Sequence, residues 1–206
     1  MDKVFSIGHS NHQAEAFLAL LQKHRIDTIL DVRSSPYSQR YPQFNRELLK
    51  VYLQDNGIAY LYMGLYFGAR QPDSAYYTPA GWLNYRAFCK SHLFKSGVEE
   101  LDNCLIAGKT PALMCAEKDP FDCHRAIMVS RGLALQGYAV EHILADGSLR
   151  TQSELDKILL DKFFPHRDEG SIFDLIEGET DPEKMLEEAY LLRNEAIAWR
   201  KEEMED

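Results

Sequence analysis

Neither of the glycine patterns that cradle phosphate, G-x-x-x-x-G-K-[S/T] and G-x-G-x-x-G, occurs anywhere in the 206 residues, which disfavours nucleoside-triphosphate or dinucleotide binding of the usual kind. No apolar run approaches the roughly 18 residues that suggest a membrane-spanning helix. The opening "MDKVFSIGHS" holds no apolar segment long enough for a secretory signal and reads as a strand, so a cytoplasmic location is expected. Cysteine is scarce: four residues (Cys89, Cys104, Cys115, Cys123) and no C-x-x-C. That is too few for a disulfide scaffold, and a reducing compartment keeps them as thiols. Internal repeats and low-complexity segments are absent as well.

Charge is unevenly placed. From Pro165 onward stand 14 acids and 5 bases, whereas residues 1–164 hold 18 of each. The whole net charge of −9 therefore belongs to the tail. A core of zero formal charge supports no nucleic-acid groove, but it leaves room for a locally basic pocket that takes a small-molecule anion.

Strand and helix patterns alternate along the chain. "KVFSI", "DTILDV", "IAYLYM", "TPALMCA" and "YAVEHIL" are short and β-prone; "QAEAFLALLQKHR", "RELLKVYLQDNG", "WLNYRAFCKSHLF", "SGVEELDNCLIAG", "HRAIMVSRGLALQG" and "TQSELDKILLDKFF" carry apolar residues at helical spacing. Ser10 or Asn11 is expected to cap the first helix, and Thr151 with Glu154 has capping-box spacing. The pattern predicts an α/β fold with a mostly parallel five-stranded sheet flanked by helices, Rossmann-like and doubly wound. Residues 1–164 would form this core domain and 165–206 an acidic linker plus a C-terminal helix, capped by Asp181 with Pro182 at its first position. That helix is expected to pack on the body through Met185, Tyr190, Leu191 and Trp199, or to join a second copy in a homo-oligomer.

Ligands of parallel sheets bind at the carboxyl ends of strands. Read there, the first strand ends in Gly8-His9-Ser10, the second in Asp31-Val32-Arg33, the fourth in Cys115-Ala116-Glu117. In strand order 3-2-1-4-5, His9 and Ser10 face Cys115 and Glu117. The segment "CAEKDPFDCHR", residues 115–125, concentrates the reactive groups. Cys123 starts or just precedes a helix, where amide groups and Arg125 favour a thiolate while Asp122 opposes it; it is also expected to be reachable by solvent. Cys115 reads equally as a small buried hydrophobe, and Cys89 and Cys104 as structural. The candidate catalytic residues are Cys123, Cys115, His9 (proton transfer) and Glu117. Ser10, Asp31, Arg33, His124 and Arg125 are candidates for substrate binding, Arg33 and Arg125 as a two-guanidinium clamp unless Asp31 holds Arg33 as a strut. Cys115, Cys123, His124 and His9 have the chemistry of metal ligands. However, the cysteine spacing is not that of a zinc ribbon, and neighbours on a helix diverge by about 100°. No metal or cofactor is therefore assigned, and well below one zinc per chain is expected.

Five motifs in order, "SIGHSNH", "LDVRSSPYS…YPQFN", "GIAYLYMGLYFGAR", "LMCAEKDPFDCHR" and "GYAVEHILADG", resemble the family of domains of unknown function numbered 488 from Val4 to about Gly147. The family usually has a leucine and paired glycines where this chain reads "LYFGAR". The resemblance implies a cytoplasmic α/β domain and no agreed reaction. A weaker similarity to rhodanese-type sulfurtransferases rests on "LDVR" and on a strand that ends in cysteine, but the loop here is longer and holds a second cysteine. Two functions compete: an enzyme using a thiol of the strand-four loop on a small anionic, phosphate-bearing or nucleotide-like substrate, and a non-catalytic domain that senses a small anion or a metal.

Overall fold

The computed structural model describes residues 2–167 and 181–201; most of the linker expected over 166–180 lies outside the described residues. Six strands form one sheet in the order β3-β2-β4-β1-β5-β6: β1 (Lys3–Gly8), β2 (Thr28–Asp31), β3 (Ala59–Tyr62), β4 (Pro111–Cys115), β5 (Ala139–Ile143) and β6 (Leu149–Thr151). The first five are parallel, and β6 returns antiparallel to β5. The α/β class and the mostly parallel sheet agree with the sequence pattern; two details differ. A three-residue strand is too short to show a period, so β6 escapes a reading of alternation. More consequentially, β4 lies between β2 and β1, so the order is not 3-2-1-4-5.

Crossovers explain the two cores. Helices α1 (Ala14–Lys23) and α2 (Arg46–Asp55) lie on one face, where Phe17, Leu21, Leu49 and Leu53 pack on Phe5, Ile7, Ile29 and Met114. On the opposite face, α3 (Gly64–Phe67), α5 (His92–Ile106), α6 (residues 124–134) and α7 (Gln152–Phe163) pack in one core with Val4, Leu30, Leu113 and Cys115. Each fully buried side chain of this size contributes about 1.5–3 kcal/mol. Strand alternation assigns the faces: along β4, Leu113 and Cys115 point to one core, Ala112 and Met114 to the other. Chains leaving β1 and β4 thus depart to opposite faces, which opens a crevice between those two neighbours.

Several helix starts moved. Gln13, not Ser10 or Asn11, precedes α1, and its side chain makes no capping bond. Trp82 and Leu83 stay outside any helix. Asn84 caps a single turn, α4 (Tyr85–Phe88), by accepting from the Ala87 amide, and Ser91 caps α5 by accepting from Phe94. These two side chains satisfy amides that a continuous helix would use otherwise, and so divide the expected helix. α5 then absorbs the next one. Thr151 and Glu154 form the full capping box of α7. The last helix, α8 (Pro182–Ile197), begins at Asp181, which accepts from the Glu183 amide. Tyr190 is buried against the body, whereas Leu191 is exposed.

Candidate functional site: four donors at the end of strand four

Strand β4 has a neighbour on each side, so its carboxyl end meets two loops at once. Cys115 is level with Gly8 of β1, and the His9 and Ser10 amides continue the ladder onto the carbonyls of Cys115 and Ala116, each at 2.9 Å. On the other side Val32 donates to Met114, which brings Arg33 alongside. Gly8 has to be small: a Cβ there would stand 1.9 Å from the Glu117 carbonyl oxygen.

After Cys115 the chain turns through a 3-10 turn, Pro120–Asp122, whose start is capped by Asp119. Cys123 is extended, with φ −133° and ψ 135°, and the helix starts only at His124. Cys123 therefore occupies the N-cap: its Sγ accepts the Arg125 amide at 3.4 Å, and its carbonyl accepts from Ala126 and Ile127. Residues Arg125–Ser130 are wound as a π-helix, with Ser130 Oγ donating to the Arg125 carbonyl. Such widened turns often accompany functional sites. Because Cys123 is not helical, the 100° divergence expected between it and His124 does not apply. One donor atom each from Cys115, Glu117, Cys123 and His124 lies within 4.8 Å of the others.

The contacts inside this group are specific. Cys123 Sγ and Glu117 Oε2 are 2.9 Å apart with one proton to share, and Cys115 Sγ is 3.6 Å from His124 Nδ1. His124 Nε2 is 3.1 Å from the Val32 carbonyl, an acceptor only, so that nitrogen carries the hydrogen. Burial, reinforced by Cys123 and Glu117, pushes the Cys115 thiol well up. Burial acts in the same direction on Cys123, but the Cys115 hydrogen bond, the Arg125 charge and His124 outweigh it and bring Cys123 well down. Burial of its carboxyl group, then Cys123, raises Glu117, although the residue as a whole is exposed. Burial alone would lower His124, yet Cys123 and Glu117 raise it. Cys123 is thus the most acidic thiol of the chain, and Asp122, expected to oppose that, is paired with Arg193 of α8. Solvent access differs from the sequence expectation: Cys115 and Cys123 are buried at 2% and 1%, while Cys89 and Cys104 are partly exposed.

The remaining candidates are positioned differently. Arg33 is gripped by Asp31 through Nε–Oδ1 at 2.8 Å and Nη2–Oδ2 at 2.5 Å, and Tyr60 donates to the same carboxylate. The strut alternative describes this pair. His9 is 3% exposed and stacks on Phe44; its Nδ1 bonds the Ser10 carbonyl and its Nε2 faces Arg33 Nη1 at 3.2 Å. Burial and Arg33 lower His9 to about 4, which keeps it neutral near pH 7. Ser10 adopts a left-handed backbone with φ 47°. Arg125 is wholly buried and donates to the carbonyls of Glu117 and Lys118 at 2.7 and 3.3 Å. It holds the loop that carries Glu117 and does not join Arg33 in a clamp.

Two cavities meet at Arg33, Ser35, Ala116 and Glu117. The first, about 400 Å³, is floored by Cys115, Glu117 and His124 and walled by Arg70, Tyr85 and Trp199. The second, about 650 Å³, is lined by His9, Ser10, Tyr37, Arg40, Tyr41 and Lys118. Arg40, Arg70 and Lys118 make no ion pair among the described residues; Arg70 lies over the Trp199 ring and Arg40 over Tyr41. These three cations and the cavity role of Trp199 are absent from the sequence-based candidates. The available signal was an arginine in each irregular loop, "YSQRYPQ" and "FGARQPD".

Comparison with curated proteins and with solved structures returns no match. The family model described as "Domain of unknown function DUF488" matches residues 13–131, more than half of the chain and inclusive of the whole 115–125 segment. This chain belongs to the DUF488 family.

Proposed function

We propose that the protein is an enzyme whose reactive centre is the thiol group of the strand-four loop, acting on a small anionic, phosphate-bearing substrate. The observation that supports this best is the convergence of Cys115, Glu117, Cys123 and His124 on one point at the sheet's switch crevice, where the cluster borders the first cavity. Structural cysteines have no need of an acidic neighbour and an oriented imidazole. Cys123 supplies the electron pair of the centre. Glu117, at 2.9 Å and bordering both cavities, exchanges its proton. Arg40, Lys118 and Arg70 hold the anion, and the planar walls of Tyr85 and Trp199 suit an aromatic or otherwise flat body beside the phosphate. Arg33 serves as a fixed ridge between the two lobes.

The test is a mixture of phosphate-bearing metabolites incubated with the untagged protein and analysed by mass spectrometry for compounds retained and compounds consumed. The wild type is expected to retain and consume the same compound, Cys123→Ala to retain it without consumption, and Arg40→Ala with Lys118→Ala to retain less. Undiminished consumption by Cys123→Ala would overturn the reading.

A further inference from the structure

The geometry points to a site for a zinc-class divalent cation, held by Cys115 Sγ, Cys123 Sγ and His124 Nδ1, with the Glu117 carboxylate in the fourth position toward the cavity. It rests on the reading that this cluster is the reactive centre, and it names the acceptor of the Cys123 electron pair. Five observations carry it. The donor set is two thiols, one imidazole and one carboxylate, the mixture of soft and borderline ligands that zinc takes in tetrahedral sites. The Cys115–His124 edge suits the ion: zinc–sulfur bonds of about 2.3 Å and zinc–nitrogen bonds of about 2.0–2.1 Å put a tetrahedral S–N edge at roughly 3.6 Å, and Cys115 Sγ lies 3.6 Å from His124 Nδ1.

The surrounding bonds supply two more, and burial the last. A histidine that binds a metal usually donates its other ring N–H to a carbonyl or carboxylate, which fixes the tautomer. His124 does this with Val32, leaving the Nδ1 lone pair turned to the cluster. The Arg125 amide donates to Cys123 Sγ, and the Arg125 side chain pins the Glu117 carbonyl. Three ligands are buried and the fourth is exposed beside the cavity, the layout of a centre with an exchangeable position, not a closed structural site. Binding replaces the thiol protons on Cys115 and Cys123 with metal–sulfur bonds and releases the protons to solvent. Of these two, the Cys123 proton is the one now shared with Glu117, so the carboxylate swings outward from its 2.9 Å contact as that proton leaves.

The expectation of little zinc drawn from spacing alone is reversed here, because the spacing argument assumed a helical Cys123. Cobalt(II) serves as the probe. Titrated into chelator-treated, untagged protein, one equivalent is expected to give a thiolate-to-cobalt charge-transfer band and the intense visible bands of a tetrahedral site, both bleached by zinc. Cys115→Ser, Cys123→Ser and His124→Gln should each weaken zinc at least about 100-fold, more than the loss of an outer-shell partner does, and Glu117→Gln about 10-fold. Cys104→Ser, a thiol far along α5, should leave affinity unchanged. X-ray absorption at the zinc edge of the wild type needs no variant and should show two sulfur and two nitrogen or oxygen neighbours. An all-nitrogen-and-oxygen shell, or a charge-transfer band that survives in a folded variant carrying both Cys115→Ser and Cys123→Ser, overturns the site. If zinc fails to bind while Cys123→Ala still abolishes consumption of the retained compound, the inference falls and the proposed reactive centre stands. Stoichiometric zinc together with full consumption by Cys123→Ala upholds the metal site and removes the thiol from the reaction.

Discussion

Single side chains here work mostly by holding others still. Arg125, the largest fully buried side chain, commits its guanidinium to two loop carbonyls, while its Nε has no partner among the described residues. Arg125→Met should therefore cost about 2–4 kcal/mol in urea unfolding, the range for buried charge-assisted bonds whose acceptors are left unpaired; a loss under about 0.5 kcal/mol would deny the arginine its anchoring role. His142 makes a second test. It lies wholly buried between Ser6 Oγ at 2.6 Å and Gln152 Oε1 at 2.9 Å, and burial followed by the Arg125 charge lowers it to about 3. Its unfolded value is 6.5, so between those limits the unfolded chain binds the extra proton. The stabilisation is complete above pH 6.5 and is lost as the pH falls toward 3, by at most about 1.4 kcal/mol per unit from this group. Unfolding free energies measured at successive pH values should show that slope, and His142→Asn should flatten it even if the variant starts less stable. Arg33 was legible only as a choice between clamp and strut, because the residue type is the same in both and Asp31 decides by distance.

At the scale of elements, α8 braces two neighbouring elements and leads into a wall of the first cavity. Asn194 satisfies both the Tyr85 amide and the Leu83 carbonyl, and Arg193 donates to the Phe121 carbonyl and pairs with Asp122. The helix so braces α4 on one side and the turn before Cys123 on the other. Its last residue, Ile197, and the next two, Ala198 and Trp199, form a wall of the first cavity, and Arg200 and Lys201 bond the 80–82 segment. Asn194→Ala leaves two buried backbone groups unpaired and should cost about 2–4 kcal/mol. Trp199→Ala, at the open wall, should change stability by less than about 1 kcal/mol while reducing retention of the proposed phosphate-bearing ligand. Equal retention by Trp199→Ala and wild type, read by equilibrium dialysis, would remove the tryptophan from the binding surface. The capping box of α7 is an element boundary that four letters, "TQSE", announced, since cap chemistry is local. The split between α4 and α5 was not announced, because Asn84 and Ser91 look like ordinary polar positions until their side chains are seen to take the amides.

For the molecule as a whole, charge is divided between a neutral core and an acidic tail. Among the described residues no helix is long and apolar enough to cross a membrane. A chain ending at Pro165 removes the net −9 and should precipitate more readily near neutral pH, as charge-poor surfaces do. The same truncation uncovers Tyr85, Leu83 and the Tyr190 seat against Gln152. A lowered melting midpoint with retained secondary structure in circular dichroism is therefore expected; an unchanged midpoint would show that α8 adds no stability to the core.

Much of what depends on near neighbours along the chain was readable from residue order. Alternating apolar periods placed five strands and most helices, cap residues placed the starts of α7 and α8, and strand ends collected His9, Asp31, Arg33, Cys115 and Glu117 on one edge. The neighbours β1 and β4 were expected from the sequence and are found, but the full strand order was not readable, and packing settled it. By putting β4 between β1 and β2, the fold set Cys115 between His9 and the Val32 carbonyl, and it joined Val32 to His124 across 92 positions of sequence. Packing also kept Cys123 extended at the helix start, so that Cys123 and His124 converge with Cys115 and Glu117 instead of diverging. Hydrogen-bond period and capping act over a few residues, whereas register between parallel strands and the distances among four donor atoms are set by contacts across the whole sheet.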